Sequence, residues 1–398
     1  MEHRQVIRAL YRLGMFGSVL GLSRIRELER KLGRPKRRFR CILVAGSNGK
    51  GSVAAMIARG LEAAGYRTGL YLSPHVDDFC ERISVNGKKI SEKEVAKEFE
   101  IVEKVARRMK EKATFFEIVT AMALDYFARR EVEWAVLEVG LGGRLDATNI
   151  VEPELSVITR IDMEHADRLG RTLAKIAAEK AGVMRRGKFV VTGAEGEGLR
   201  ALRRIAAEKG AKLVAVRGKY DGKLAMMGEY QTRNAALAEK SLELLGVPES
   251  AIAKGLARAK LPARLEVVSR RPLVLHDGAH NPAAMKQLAS EIRRMQLKRL
   301  VVVFGAMKDK DYDSMLREIA PLAYAVVVNQ PKLERAAKAD ELAQAARKYN
   351  KRVRIVKDVR ESVHEAKKLA GKKGTVLVTG SIYMLAEARG KNKLRVAM

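Results

Sequence analysis

Residues 41–52 read Cys41-Ile-Leu-Val-Ala-Gly-Ser-Asn-Gly-Lys-Gly-Ser52. An apolar run enters a glycine-rich turn, and residues of helical period follow. That order predicts strand, loop and helix, the context a phosphate-binding loop requires. Gly46, Gly49 and Gly51 let the backbone curl so that successive N–H groups face phosphate oxygens. The helix beginning near Ser52 adds its positive end. Lys50 is placed to reach the β- and γ-phosphates, and Ser52 to position phosphate or metal. The spacing departs from the common G-x-x-x-x-G-K-[ST], because Val44 takes the first glycine's place and Gly51 separates Lys50 from Ser52. Strand, Gly-Lys pair and helix together still point to a nucleoside triphosphate.

The same alternation continues on both sides. Short β-branched runs stand at Cys41–Ala45, Thr68–Leu72, Trp134–Val139, Ser156–Thr159, Phe189–Thr192 and Leu213–Val216. Later ones stand at Leu273–His276, Leu300–Phe304, Ala325–Val328, Val353–Val356 and Thr375–Thr379. Near-continuous apolar strands with helical stretches between them predict an α/β fold with mostly parallel sheets covered on both faces. Phe115–Phe127 is apolar nearly all round and predicts a buried helix. A helical stretch ends at Leu261–Pro262, after which the alternation restarts, so we expect domains of residues 1–261 and 262–398.

Composition narrows the partners. The chain has 398 residues, 78 Lys plus Arg against 47 Asp plus Glu, and a formal net charge of +31, so polyanions should be drawn to it. Aromatic residues are 5 % with one Trp, too few for a stacking surface that reads nucleic-acid bases. No apolar run reaches the roughly 20 residues of a membrane helix. Cys41 and Cys80 are the two cysteines, read as small core residues of a protein in a reducing cytoplasm. The arginine-rich first 26 residues lack the serine content of a transit peptide and are read as structured. The basic clusters Arg34–Arg40 and Lys367–Lys373 are read as solvated surface.

Three oxygen- or nitrogen-bearing residues lie just past strand ends, where open α/β sheets place their sites. Ser73 follows Thr68–Leu72, Glu138 lies in Leu-Glu-Val-Gly-Leu-Gly-Gly, and His165 comes shortly after Ser156–Thr159. A bare carboxylate inside an apolar strand is costly to bury, which favours metal pairing for Glu138. Gly140, Gly142 and Gly143 leave room for a ligand to approach the backbone. Asp146 and Asn149 could cap or bind. Lys180, in Ala-Ala-Glu-Lys-Ala-Gly-Val, reads by itself as a helix-surface lysine.

The chain resembles the folylpolyglutamate synthase / dihydrofolate synthase family of the Mur ligase superfamily. Gly46-Ser-Asn-Gly-Lys-Gly-Ser52 is similar to its phosphate loop, with Ser47 where Thr is usual. Tyr71-Leu-Ser-Pro-His75, Phe115-Phe-Glu-Ile-Val-Thr-Ala121 and Leu137-Glu-Val-Gly-Leu-Gly-Gly-Arg-Leu-Asp-Ala-Thr-Asn149 are similar too. So are Ile176-Ala-Ala-Glu-Lys-Ala-Gly182, Gln231-Thr-Arg-Asn-Ala-Ala236, His276-Asp-Gly-Ala-His-Asn-Pro282, Phe304-Gly-Ala-Met-Lys-Asp-Lys-Asp311 and Gly380-Ser-Ile-Tyr383. Gly21–Gly33 resembles the family's opening helix. The motifs run in order over essentially the whole chain.

The resemblance implies an N-terminal P-loop ATPase-like domain, a smaller C-terminal Rossmann-like α/β domain that ligates glutamate, and an active site in the cleft between them. It implies nucleotide contacts from Gly46, Ser47, Asn48, Gly49, Lys50, Gly51, Ser52, Asn234, Arg264 and Asp277. It implies Mg²⁺, two ions in all, held by Ser73, Glu138, His165 and a carbamylated Lys180. Lys50, Lys180, His165 and His280 would be the catalytic set. The implied reaction joins L-glutamate to a folate, to dihydropteroate or to both, through an acyl phosphate made from ATP. The expected molecule is a cytoplasmic monomer without a membrane partner. The alternatives are a Mur-type ligase for another carboxylic acid and, more distantly, a nucleic-acid-binding P-loop protein. Four features depart from the family's pattern: Ala263 for Gly, Glu164 for Asp, Tyr230 for His, and a short Lys219–Gly228 stretch. None is expected to touch phosphate or metal.

Overall fold

The quoted apolar run forms β1 (Arg40–Ala45), a strand buried at every position after the first. With β2 (Thr68–Tyr71), β3 (Ile83–Val85), β4 (Lys88–Lys89), β5 (Trp134–Glu138), β6 (Pro153–Ile158), β7 (Phe189–Thr192) and β8 (Lys212–Ala215) it makes an eight-stranded sheet. The order is β4-β3-β2-β5-β1-β6-β7-β8, parallel from β2 to β8, with β3 and β4 added antiparallel. Register sets Val44 beside Glu138 and Ala45 beside Ile158. The ends of β5, β1 and β6 therefore lie side by side, with β1 central. These coordinates come from a computed structural model that describes residues 2–14 and 21–390.

The covering helices explain the strands' two-sided hydrophobicity. The helix Lys50–Ala63 buries ten of its residues, against β1, β2 and β5 on one side and the helix Glu249–Leu256 on the other. The helix Phe115–Arg129 is buried at all but two positions, as its apolar circumference predicts. Thr114 caps it: the Thr114 hydroxyl accepts from Glu117 N at 3.3 Å, and the Glu117 carboxylate accepts from Thr114 N at 2.8 Å. The resemblance to an opening helix falls on the helix Ser23–Lys31. Part of the N-terminal stretch read as structured, residues 15–20, lies outside the described residues.

The second sheet has six strands: β9 (Glu266–Arg270), β10 (Leu273–His276), β11 (Leu300–Phe304), β12 (Ala325–Val328), β13 (Val353–Ile355) and β14 (Thr375–Thr379). Its order is β13-β12-β11-β14-β10-β9, parallel except for β9 against β10. Internal contacts divide the described chain into a first unit of 2–14, 21–225 and 231–260 and a second of 226–230 and 261–390. Cys41 and Cys80 are buried and not disulfide-bonded, and burial pushes the Cys41 thiol up to about 12. Among the described residues no helix is long and apolar enough to cross a membrane.

Candidate active site

The loop between β1 and the helix Lys50–Ala63 is fastened from beneath by the segment that leaves β6. Ser47 N donates to Arg160 O at 2.9 Å, and the Ser47 hydroxyl accepts from Asp162 N at 3.0 Å. Asn48 Nδ2 donates to the Asp162 carboxylate at 2.9 Å, and Thr159 Oγ1 donates to Asn48 O at 2.6 Å. Ser47 and Asn48 thus spend these side-chain bonds on holding the loop's shape. Gly46 has φ +138°, and a Cβ there would stand 1.9 Å from Thr159 Oγ1. Lys50 Nζ folds back over the loop and donates to Gly46 O at 2.9 Å and Ser47 O at 3.1 Å.

Two distant residues reach this loop from the helix Glu229–Leu244. Gln231 Nε2 donates to the buried Ser52 hydroxyl at 3.3 Å, and Asn234 Nδ2 donates to Gln231 Oε1 at 2.9 Å. They are three positions apart and so share one helix face. Asn234 sits directly over Gly49, where a Cβ would meet its Oδ1 at 2.5 Å. The sequence reading reached Asn234 and missed Gln231, whose signal is that spacing.

Lys180 overturns its reading as a surface lysine. It ends the helix Leu173–Lys180, is 1 % exposed, and donates at 2.9 Å both to Gly46 O and to Glu164 Oε1. The helix end reaches so deep because Gly143 has no side chain: a Cβ there would lie 2.9 Å from Lys180 O. The glycine-rich turn therefore makes room for protein backbone. Burial lowers the Lys180 pKa and the Lys50 charge adds to that, while Glu164 opposes both. Burial alone would raise the Glu164 pKa, but Lys50 and Lys180 outweigh it and hold it below the usual carboxylate range. Glu164, one of the departures from the family's pattern, is thus in contact with the buried lysine. His165 follows at φ +46°, half-buried, at the start of the short helix Ala166–Leu169.

Ser73 and Glu138 form a pair of their own, Ser73 N donating to Glu138 Oε2 at 2.9 Å, with Glu138 5 % exposed. The structure also decides between capping and binding for two neighbours. Asp146 accepts from Thr148 N at 3.0 Å, the Thr148 hydroxyl at 2.6 Å and Leu141 N at 2.9 Å, so it fastens the turn. Asn149 donates to Arg144 O and Gly182 O and accepts from Arg185, so it too is structural.

In the second unit, Arg264, Asp277 and His280 come together around the exit of β10. The Asp277 carboxylate accepts from Leu265 N at 2.8 Å, Ala279 N at 2.9 Å and the Tyr230 hydroxyl at 3.1 Å. Burial raises its pKa, against Arg264 and these donors. Tyr230, a second departure, touches a predicted site residue. Ala263 and Leu265 flank Arg264 with φ of +58° and +49°. A left-handed alanine costs about 1–2 kcal/mol, and Ala263 is held there at both ends. Its N–H donates to Glu266 Oε2 at 2.8 Å, and its carbonyl accepts from Gly278 N at 2.9 Å. His280 Nδ1 donates to Gly278 O at 2.8 Å, which fixes the proton on that nitrogen.

Family models of the Mur ligase middle domain and of the Mur ligase glutamate ligase domain match residues 44–252 and 263–382. The dihydrofolate synthase/folylpolyglutamate synthase of Bacillus subtilis is 35 % identical, covering 95 % of this chain and 96 % of that protein. The chain belongs to this family. The Mycobacterium tuberculosis folylpolyglutamate synthase complexed with ADP is similar in structure, with a TM-score of 0.91 at 32 % identity over 98 % of each chain. Escherichia coli FolC in complex with DHPP and ADP gives a TM-score of 0.90 at 31 % identity, covering 99 % of this chain and 98 % of that one. The family also supplies half of longer proteins: a probable bifunctional folylpolyglutamate synthase/dihydropteroate synthase of Haloferax volcanii is 36 % identical over 98 % of this chain and 50 % of its own length.

Of the residues expected to hold Mg²⁺, Glu138 fits a hard cation. It is a buried carboxylate at a strand's end, an oxygen donor whose Oε2 accepts from Ser73 N. Lys180 as an ammonium has no lone pair to offer; carbamylation would convert it into an oxygen donor.

Proposed function

We propose that the chain is an ATP-dependent amide ligase that adds L-glutamate to a folate, to dihydropteroate or to both. What carries the reading is the convergence of Lys50 and Lys180 on the Gly46 carbonyl, in the turn that follows β1, where the neighbouring strand ends at Glu138. Such a place is cationic, backbone-lined and buried, and it suits a triphosphate.

A carboxylate oxygen of the pterin substrate attacks the γ-phosphorus, the bond to the β,γ-bridging oxygen breaks, and ADP leaves. The glutamate amine then attacks the acyl carbon, and inorganic phosphate departs with its electron pair as the amide forms and the amine sheds its protons. Both reactants of the first step are anions. Lys50 offsets that repulsion from the loop, and Arg264 is assigned the same task from the second unit. Ser73 and Glu138, with His165 and a carbamylated Lys180, would hold Mg²⁺, which would supply further charge neutralisation. Gly46, Ser47, Asn48, Gly49, Gly51 and Ser52 cradle phosphate, with Asn234 and Asp277 on the nucleotide. His280 serves the reacting groups. We assign residues 1–261 to ATP binding and 262–398 to glutamate ligation, in a monomer of the reducing cytoplasm.

The test is ADP release with Mg-ATP and L-glutamate, with dihydropteroate and tetrahydrofolate in separate reactions. ADP that depends on one pterin names the branch, and ADP with each names a bifunctional enzyme. ADP with neither, while ATP still binds, overturns the folate assignment in favour of a Mur-type ligase for another acid.

A further inference from the structure

Away from the phosphate loop, three metal-ligating side chains of different chemistry meet at the foot of the first helix. His3 opens the helix His3–Arg12, while Asp78 and Cys80 belong to the turn that follows Ser73 and His75 in the chain. One ring nitrogen of His3, one carboxylate oxygen of Asp78 and the Cys80 sulfur all lie within 4.8 Å of one another. Cys80 is 5 % exposed. His3 Nδ1 is buried and has no hydrogen-bond partner among the described residues, although an imidazole nitrogen shut away from water normally finds one. Asp78 also accepts from Cys80 N at 3.0 Å, which fixes the carboxylate against the thiol's own backbone.

We propose that His3, Asp78 and Cys80 form a binding site for a zinc-class divalent cation, distinct from the Mg²⁺ residues. Imidazole, thiolate and carboxylate together suit Zn²⁺ or Co²⁺, and the sulfur selects against Mg²⁺, which takes oxygen. Bonds of about 2.0–2.3 Å around a tetrahedral ion set donor atoms roughly 3.3–3.8 Å apart. Side-chain rotation closes the remaining ångström. On binding, the Cys80 S–H bond breaks, sulfur keeps the electron pair for the metal, and the proton goes to solvent. Three protein donors leave a fourth position for water.

The ion would clip the first helix to the Ser73–Arg82 segment at a second point. At its other end that helix already meets the segment, Tyr11 OH lying 3.2 Å from His75 Nε2. The clip therefore steadies the stretch of chain that begins at Ser73.

The test uses the full chain, stripped with EDTA and then saturated with Mg-ATP so that its oxygen sites are filled. Titrated Co²⁺ is read by absorption. One equivalent per chain should bring up a thiolate-to-cobalt charge-transfer band. Cys80→Ser should abolish the band, and Cys41→Ala should keep it. His3→Ala, on the partly exposed end of a helix, should leave the circular dichroism unchanged and weaken Co²⁺ binding at least about tenfold. No band in the wild type, a band that survives Cys80→Ser, or an affinity untouched by His3→Ala would each overturn the proposal.

Discussion

A lysine ammonium at 1 % exposure keeps its proton where a carboxylate stands against it, and Glu164 is that carboxylate for Lys180, at 2.9 Å. Removing one partner of a buried pair leaves the other uncompensated, so Glu164→Gln should destabilise the first unit by about 3 kcal/mol in denaturant unfolding at pH 7. A loss within about 0.5 kcal/mol would mean that the charge is relaxed some other way. The pair also has a sign with pH. Because the folded Glu164 pKa lies below its unfolded value, its stabilisation is full above the unfolded value and is lost as pH falls through the folded one. His276 behaves oppositely in origin and alike in direction. Burial, with Arg389 adding and Glu266 opposing, lowers its pKa to about 4. Its ring is protonated in the unfolded chain below about 6.5 but stays neutral in the fold, so stability falls between those values. By pH 5 the loss should be about 2 kcal/mol. Comparing unfolding at pH 7 and pH 5 in wild type and His276→Gln checks it: the variant should lose less, and equal losses would show that the ring titrates normally in the fold.

The strand–loop–helix unit at 40–63 was legible because its parts are local. A strand covered on both faces must be apolar throughout, and a phosphate loop must be glycine-rich, so one short window carries both signals. Very short or half-exposed elements carry less. β3 has three residues, β4 two, and β9 is a half-exposed Glu-Val-Val-Ser-Arg, so none shows the continuous apolar run of a central strand. Long-range contacts carry nothing local at all. That Gly143 admits the backbone of Lys180, or that Glu164 and Tyr230 reach predicted site residues, follows from how separate elements meet. The loop supplies a test at this scale. Gly46→Ala would force a Cβ to 1.9 Å from Thr159 Oγ1 and 2.9 Å from Thr159 N, at a φ that only glycine adopts without strain. The loop must move, and with it the carbonyl that both lysines hold. ADP release should fall at least about a hundredfold while the far-ultraviolet circular dichroism stays near wild type, since a small misplacement at a reacting centre costs that much. Turnover near wild type would separate the loop from the chemistry.

Across the whole molecule, a net charge of +31 acts on stability as well as on partners. It draws anions such as a triphosphate or a glutamate tail, and it also sets like charges against one another in the compact state. Ion pairs at the surface pull the other way. Arg144–Glu179 at 2.8 Å and Lys348–Asp313 at 2.7 Å are examples, and both involve exposed cations. Each such pair contributes at most about 1 kcal/mol and weakens with salt. The excess of positive charge is a sum over every pair of cations within a screening length. That length shrinks from about 30 Å at 0.01 M salt to about 10 Å at 0.1 M, so salt removes the long-range repulsion before it touches contacts at 3 Å. Raising KCl across that range should therefore raise the thermal midpoint, by roughly 2–5 °C. A falling midpoint would mean that the surface pairs outweigh the charge excess, and the basic surface would then be stabilised from within instead of by the anions it attracts.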